Sequence, residues 1–304
     1  LGLRRLENDN FAIQCQAGVL LSELQNSLAE KSFPDHSANW TQESCNVLES
    51  LKRQQFFFPP DPTEASASIG GITSCNASGS HSFAYGPVRP YVLSLTVVLA
   101  NSEILHIERG QCIADTNGVF RLQDSNGTEI QIHIPSYNQP QAKNVGGYYS
   151  DTGMDLVDLF VGSEGTLGII TEVELQLIRA PEKESSAVIF FQSERHALDF
   201  TYAVRNKKEK LGLQAVEYFG PHALQFMRNL RNNLGAASGV PECLPANAEA
   251  AIYVGHAVSE IHECRVLKQL ADIAKLNSAD PDICWSASSK DERERLRTFR
   301  HALP

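Results

Sequence analysis

The sequence predicts an α+β chain built in two domains, and three observations carry that expectation. Strand-like alternation and loops fill the chain to about residue 180, the composition shifts at Arg179-Ala180-Pro181-Glu182-Lys183, and strand-then-helix units follow. The expected domains are therefore residues 1–181 and 182–304. A length of 304 residues agrees with about two domains.

Taken in order, Phe11, Ile13 and Cys15 alternate with Ala12, Gln14 and Gln16, which predicts a strand ending at Gly18. Leu21, Leu24 and Leu28 recur at helical spacing after it, with Ser22 and Glu23 near the start. Residues 32–55 are polar and irregular, holding Pro34, Asp35, Asn39 and Trp40 before a helical Leu48/Leu51 stripe, and read as an insertion or surface excursion. Three prolines in Phe56-Phe57-Phe58-Pro59-Pro60-Asp61-Pro62 exclude helix and regular sheet. Leu93, Leu95, Val97 and Leu99 share one face of a strand that turns at Asn101-Ser102 into Glu103–Ile107, a hairpin. A second hairpin joins Gly118–Leu122 and Glu129–Ile134 around Asn126-Gly127. Asp155 is placed to cap a helix through Phe160, and Val173, Leu175 and Leu177 alternate with Glu172, Glu174 and Gln176. Beyond residue 182 the expected units are 186–192 then 194–210, 215–219 then 221–232, and 250–254 then 259–275.

Several function classes fall away. Twenty-six Lys and Arg against 36 Asp and Glu leave a net charge of −10, so no net positive field attracts nucleic acid or an anionic bilayer. The longest apolar candidate for a membrane span, Tyr91–Ala100, is interrupted by Ser94 and Thr96. The seven cysteines include no C-x-x-C pair, which predicts reduced thiols in a reducing compartment and no metal site. Sequons at Asn39, Asn76 and Asn126 are expected by chance without a secretory signal. Leu1 in place of Met, and an end at Pro304 within a helical run, read as an internal piece of a longer chain.

Two glycine-rich stretches carry the chemistry. Residues 66–80 hold Gly70, Gly71 and Gly79 among Ser and Thr, with only Ile69 and Ile72 bulky. Such a loop lets backbone approach a flat ligand while N–H and hydroxyl groups meet phosphate or ring acceptors; a flexible linker is the alternative. In the second stretch, Gly162, Gly165 and Gly168 recur every third residue and run directly into a strand. Neither fits G-x-G-x-x-G or G-x-x-x-x-G-K-[ST], so a nicotinamide-type Rossmann turn and a P-loop are disfavoured.

Together and in order, Phe57-Phe-Pro-Pro-Asp-Pro-Thr-Glu64, Ile69-Gly-Gly71, Asn76-Ala-Ser-Gly79, Tyr85-Gly86, Val98-Leu-Ala100, Lys143-Asn144 with Gly147-Tyr148, and Asp158–Thr171 resemble the FAD-linked oxidase family. Within it the chain is similar to glycolate and D-lactate dehydrogenase flavoproteins, whose flavin domain is of the vanillyl-alcohol-oxidase (PCMH) type. The resemblance covers residues 10–31 and 55–180 well and 181–304 more loosely. It implies a PCMH-type FAD-binding domain followed by a ferredoxin-like α+β substrate domain, both incomplete. The Arg-Gly-x-Gly-Thr loop and the Gly-Asp-Gly-Asn-x-His segment of the family have no counterpart here, and with the latter the resemblance places the catalytic base outside this chain.

The resemblance also assigns residues. Pro60, Asp61, Pro62, Ser68, Gly70, Gly71, Ser74, Ala77, Ser78 and Gly79 would wrap the ring, ribityl chain and pyrophosphate of a non-covalent FAD. Glu164, Gly165, Gly168, Ile169 and Ile170 would face its adenine and ribose side. His81 is a loop residue beside the cofactor, since the family's covalently linked histidine lies in the missing loop. Glu292, Arg293, Glu294 and Arg295 read as a solvated charged face, whereas Arg300 would clamp a substrate carboxylate bidentately, with His301 beside it. The implied reaction is oxidation of a small 2-hydroxy acid of the D-lactate or glycolate type by hydride transfer to flavin. Electrons would pass to a quinone chain, an electron-transfer flavoprotein or an iron–sulfur domain, in a cytoplasmic homodimer peripheral to the inner membrane through an acceptor complex. Two rivals are kept: an alkylglycerone-phosphate-synthase-like flavin enzyme, and a non-catalytic flavin-binding subunit of an oxidase complex.

Overall fold

The computed structural model describes residues 2–6, 10–33, 41–123, 127–140, 145–240, 244–280 and 283–303. Two compact units divide the chain: Leu1–Gly79 with Gly86–Ala180, and Ser80–Tyr85 with Pro181–Pro304. The segment Ser80–Tyr85, which holds the short helix α4 (Ser82–Tyr85), therefore leaves the first unit, where its sequence position puts it, and belongs to the second. Its reason is packing: Phe83 lies against the second unit's core, and the Tyr85 hydroxyl accepts from Gln214 Nε2 at 2.9 Å.

The first unit is a six-stranded antiparallel sheet. Strands β1 (Gly2–Arg5), β2 (Phe11–Gln16), β3 (Phe56–Phe57), β4 (Val92–Val98), β5 (Ile104–Glu108) and β8 (Ile169–Arg179) run in the order β1-β2-β8-β4-β5, with β3 pairing β8. A separate hairpin, β6 (Val119–Gln123) and β7 (Glu129–His133), matches the expected one, although Asn126 at its turn lies outside the described residues. Alternation works as anticipated in β8, where Val173, Leu175 and Leu177 are fully buried. Helix α1 (Leu21–Glu30) buries Leu21, Leu24 and Leu28, and its Glu23 carboxylate accepts from Leu20 N at 3.0 Å.

Three readings are corrected in this unit. The helical stripe expected at Leu48 and Leu51 belongs to a longer helix than the surface excursion implied, α2 (Gln42–Arg53), and its buried residues are Ser44, Val47 and Leu51. Its N-cap Thr41 accepts from Ser44 N, and Ser44 in turn bonds Leu3 of β1, a strand that the sequence did not announce. Phe56 and Phe57 do join the sheet, opposite Arg179 and Ile178, because the prolines act only from residue 59 onward. The first glycine-rich stretch is not all loop: α3 (Ile69–Ser74) forms within it, capped by Ser68 Oγ, which accepts from Gly71 N at 3.1 Å.

The second unit is a four-stranded antiparallel sheet of β9 (Lys183–Phe191), β10 (Leu213–Phe219), β11 (Ala250–Val258) and β12 (Trp285–Ala287), in the order β10-β11-β9-β12. With α6 (Glu194–Arg205) between β9 and β10 and α8 (Glu260–Leu276) between β11 and β12, this is the ferredoxin-like arrangement the resemblance implies. Alternate faces of the strands separate two cores. Ile189, Phe191, Ile252 and Val254 meet Phe200 and Leu270 of α6 and α8. Val188, Phe190 and Tyr253 meet Leu224 of α7 (Pro221–Leu234) and Phe299 of α9 (Lys290–Arg300). In α9, Glu292 and Arg293 are not merely solvated: Glu292 completes a capping box with Ser289, and Arg293 donates to the carbonyls of Glu184 and Ser288.

No helix among the described residues is long and apolar enough to cross a membrane. On β11, His256 is fully buried beside Glu263, whose carboxylate takes Lys183 Nζ at 2.6 Å and Ser185 Oγ at 2.7 Å. Neither ring nitrogen of His256 has a hydrogen-bond partner among the described residues, and burial pulls its pKa down to about 4 against the opposing charge of Glu263. The unfolded chain then binds the extra proton first. Stability is accordingly complete above the ordinary histidine value of about 6.5 and falls, by up to about 3 kcal/mol, as the pH drops towards 4. Denaturant melts of wild type and His256→Leu between pH 7 and 4 check this: the variant should lack that portion of the acid slope, and an unchanged slope contradicts it.

Candidate functional site

All the residues proposed for the flavin lie in the first unit, and main-chain contacts join their separate motifs. Ile69 N and Gly70 N, at the start of α3, donate to the carbonyls of Val19 and Ala17, both at 2.8 Å. A Cβ on Gly70 would stand 2.6 Å from the Ala17 Cβ, so glycine is what allows the helix to sit against the turn after β2. Past α3 the chain turns at Asn76, which has φ of +46°. Gly79 then passes so close to Asp61 that a Cβ would lie 2.0 Å from its carbonyl oxygen. That approach brings the Pro60-Asp61-Pro62 segment and the Ala77-Ser78-Gly79 turn into direct backbone contact.

The second glycine-rich stretch begins at α5 (Leu156–Phe160), capped as expected by Asp155, whose Oδ1 accepts from Val157 N at 2.9 Å. Gly162, Glu164 and Gly165 follow with φ of +86°, +54° and +75°. Gly162 N donates to Thr73 O at 3.1 Å and Glu164 N donates to Ser74 O at 2.9 Å, so the end of α3 and this turn are hydrogen-bonded to each other. Gly168 leads into β8 against β4, where a Cβ would stand 2.6 Å from Val97 Cγ1 and 2.9 Å from Val98 O. Ile169 and Ile170 pair with Val98 and Val97; Ile170 is buried while Ile169 is exposed.

The result is a surface of backbone and short side chains. Gly71, Glu164, Gly165 and Thr166 are exposed, Ser68, Ser74 and Ser78 are half-buried, and nothing lies within 4 Å of the Cβ position of Gly165. Such a surface suits a flat, phosphorylated ligand held by main chain rather than by charged side chains. The segment containing Lys143 and Asn144 lies outside the described residues.

Sequence reasoning missed the side chains that tie this surface together. Arg109 forks onto Asp158, with Nη1 to Oδ2 at 3.2 Å and Nη2 to Oδ1 at 3.0 Å, and also donates to Val92 O and Arg89 O. Arg89 donates to the Asp158 carbonyl, lies over the Tyr149 ring at 4.3 Å, and its own N–H donates to Asn76 Oδ1 at 2.9 Å. Burial lowers the Arg89 pKa from its ordinary value, with the charge of Asp158 acting against that. No local spacing marks residues 89, 109 and 158 as partners, because their contacts span 20 to 69 positions.

The catalytic candidates belong to the second unit. Arg300, in the last turn of α9, donates from Nε and Nη2 to the two carboxylate oxygens of Glu217, both at 2.8 Å, and lies 4.8 Å from the Tyr253 ring centroid. Burial raises the Tyr253 pKa, and Arg300 opposes the shift. His301 ends α9 with its N–H on Arg297 O and is exposed, so the two neighbours point to different environments. His81 stacks edge-on with Tyr85 at 6.4 Å between centroids.

Comparison with known proteins bears on the cofactor class and the fold. Residues 45–108 match the family described as FAD binding domain. The chain is 37% identical over 164 residues to a probable mitochondrial D-lactate dehydrogenase of Danio rerio, a match covering 54% of this chain and 26% of that protein. The chain thus carries a match to an FAD-binding domain and is similar to D-lactate dehydrogenases. It is also 25% identical over 296 residues to a D-lactate dehydrogenase of Archaeoglobus fulgidus, covering 97% of the chain and 49% of the relative. The chain thus spans between a quarter and a half of these relatives' length. Among solved structures, an alkyldihydroxyacetonephosphate synthase aligns with a TM-score of 0.57 at 14% identity, over 96% of this chain and 43% of that one, a likeness of fold.

Replacing Gly79 by Ala forces the Asp61 backbone to move. Gly79→Ala should weaken FAD binding by about tenfold or more in a fluorescence titration. Affinity equal to wild type would separate Gly79 from the cofactor site.

Proposed function

We propose that this chain is the flavin-binding and substrate-facing part of an FAD-dependent dehydrogenase that oxidises a short D-2-hydroxy acid. The observation that carries the reading is the main-chain union of the two glycine-rich turns, Gly162 to Thr73 and Glu164 to Ser74, in a chain whose relatives are D-lactate dehydrogenases. Pro60, Asp61, Pro62, Ser68, Gly70, Gly71, Ser74, Ala77, Ser78 and Gly79 hold the ring, ribityl chain and pyrophosphate, and Glu164, Gly165, Gly168, Ile169 and Ile170 the adenosine side. FAD, when bound, supplies the hydride acceptor. Oxidation removes the hydroxyl proton and the C2 hydride of the substrate and leaves the 2-oxo acid.

Arg300 is the carboxylate partner in this reading. Its guanidinium is already fixed in plane by the Glu217 fork and the Tyr253 ring, so little side-chain entropy remains to be lost when a second anion arrives. His301, being exposed at the helix end, is assigned a place beside the substrate rather than a proton-transfer role. Electrons leave to a separate acceptor, a quinone chain, an electron-transfer flavoprotein or an iron–sulfur domain, with the enzyme a cytoplasmic homodimer held at the inner membrane by that acceptor.

Anaerobic addition of D-lactate or glycolate to the FAD-loaded full-length protein tests the reading. The flavin absorbance should bleach, and Arg300→Ala should raise KM by about 100-fold, the scale expected for loss of a charged bidentate contact. Absence of bleaching with every short D-2-hydroxy acid contradicts it. Turnover of a fatty acyl glycerone phosphate instead would select the synthase-like alternative, and FAD binding without any turnover the non-catalytic subunit.

A further inference from the structure

We propose that Arg89, Arg109 and Asp158 are the positioning residues of the flavin site: one carboxylate shared by two guanidinium groups sets the distance between the Asn76 turn and the Gly162–Gly165 turn. The inference rests on the assignment of FAD to these turns and adds the side chains that hold them in place.

Each end of the cluster is anchored to one turn. Asp158 lies in α5, four residues before Gly162, so whatever fixes α5 fixes the second turn. Arg109 fixes it from the β5 side through the bidentate pair at 3.0 and 3.2 Å, while its Nε and Nη2 bind the carbonyls of Val92 and Arg89 at 2.8 and 3.0 Å. Arg89 belongs to the other side. Its backbone N–H is accepted by Asn76 Oδ1 at 2.9 Å, and the preceding residue, Val88, donates its N–H to Ala77 O at 3.0 Å. From that anchor the Arg89 side chain reaches the Asp158 carbonyl and carboxylate, the latter at 3.8 Å.

The two turns close on each other at Gly162. A Cβ there would stand 3.2 Å from both Arg89 Nη2 and Asn76 Cβ, at φ of +86°. Tyr149 covers the Arg89 guanidinium, and the neighbouring Tyr148 hydroxyl shares a hydrogen bond with Thr166 Oγ1 at 2.7 Å, so the same cluster reaches the far end of the second turn. Asp158, Arg89 and Arg109 are 12%, 15% and 27% exposed in their side chains, which keeps the ion pairs poorly screened and their geometry stiff. A planar, bidentate fork is required at residue 109, since an ammonium group cannot bind two carboxylate oxygens and two carbonyls in one plane.

A generic loss of stability would also follow from disturbing a buried charge pair, so the test compares FAD affinity at matched destabilisation. FAD is titrated by fluorescence and visible circular dichroism into the full chain and into Asp158→Asn, Arg109→Lys and Leu177→Ala. Each is measured at a temperature where far-ultraviolet circular dichroism shows it folded. Leu177 is fully buried at the far end of β8, opposite Phe11, so its truncation lowers stability away from the turns. Asp158→Asn and Arg109→Lys should raise the FAD Kd by about 10- to 100-fold and flatten the induced flavin band, the scale of loss expected when a site's supporting contacts loosen. Leu177→Ala should leave Kd within about twofold of wild type, as a distant site does when effects are additive. Arg109→Lys, the milder change, decides the matter if Asp158→Asn does not fold. Wild-type affinity in the folded Asp158 or Arg109 variants overturns the inference, as does an equal loss in Leu177→Ala. Failure of the wild-type protein itself to bind FAD removes the underlying reading instead, and the inference with it.

Discussion

Hydrogen bonding between the end of α3 and the turn after α5 is the constraint on which the first unit's chemistry depends. Thr73 O and Ser74 O are carbonyls of the last helical turn, where an α-helix leaves its acceptors without internal N–H donors, and they receive Gly162 N and Glu164 N from a turn 89 to 90 residues away. These bonds satisfy the helix end and at the same time place two glycine-rich surfaces side by side. Positive φ at Gly162, Glu164 and Gly165 is what points those N–H groups at the helix. The surface so formed is of backbone on both sides, without a bulky side chain between.

The second unit works by a different economy of contacts. Its sheet is buried on both faces, which fixes β9 and β11 firmly and leaves functional chemistry to element ends. Arg300 is such a residue, at the end of α9, and the carboxylate of Glu217 on β10 gives it a defined plane. Glu217 thus has two consequences: it satisfies a largely buried guanidinium, and it holds the proposed carboxylate partner Arg300 in one plane. Phe299, the residue before it, packs into the core with Phe219 and Trp285, so the helix cannot rotate without breaking aromatic contacts.

Local signals were legible and long-range ones were not. The Asp155 cap, the Leu21/Leu24/Leu28 stripe and the Val173/Leu175/Leu177 alternation are set by neighbours within one or two turns, and sequence periodicity reports such neighbours directly. Phase was harder in α2, because Val47 and Leu48 are adjacent and only packing against β1 chooses between them. The helix within the Gly/Ser stretch was hidden by its composition: Ser68 supplies the cap and contacts with Ala17 and Val19 outweigh the cost of two glycines. Ser80–Tyr85 changes units for a similar reason, through Phe83 and Tyr85 meeting residues about 125 positions on. Motif order carries the residues proposed for the flavin, but the Arg89, Arg109 and Asp158 cluster has no spacing of its own and emerges only when β5, α5 and the Asn76 turn are assembled.

The two glycine-rich turns are proposed to act as one cofactor surface. Amide hydrogen exchange followed by mass spectrometry, with and without FAD, measures this directly on peptides covering residues 68–79 and 161–168. Both segments should slow together when FAD is added, with the Gly162 and Glu164 amides among the most protected. Slowing in only one of the two segments, or in neither while FAD is bound, would contradict it.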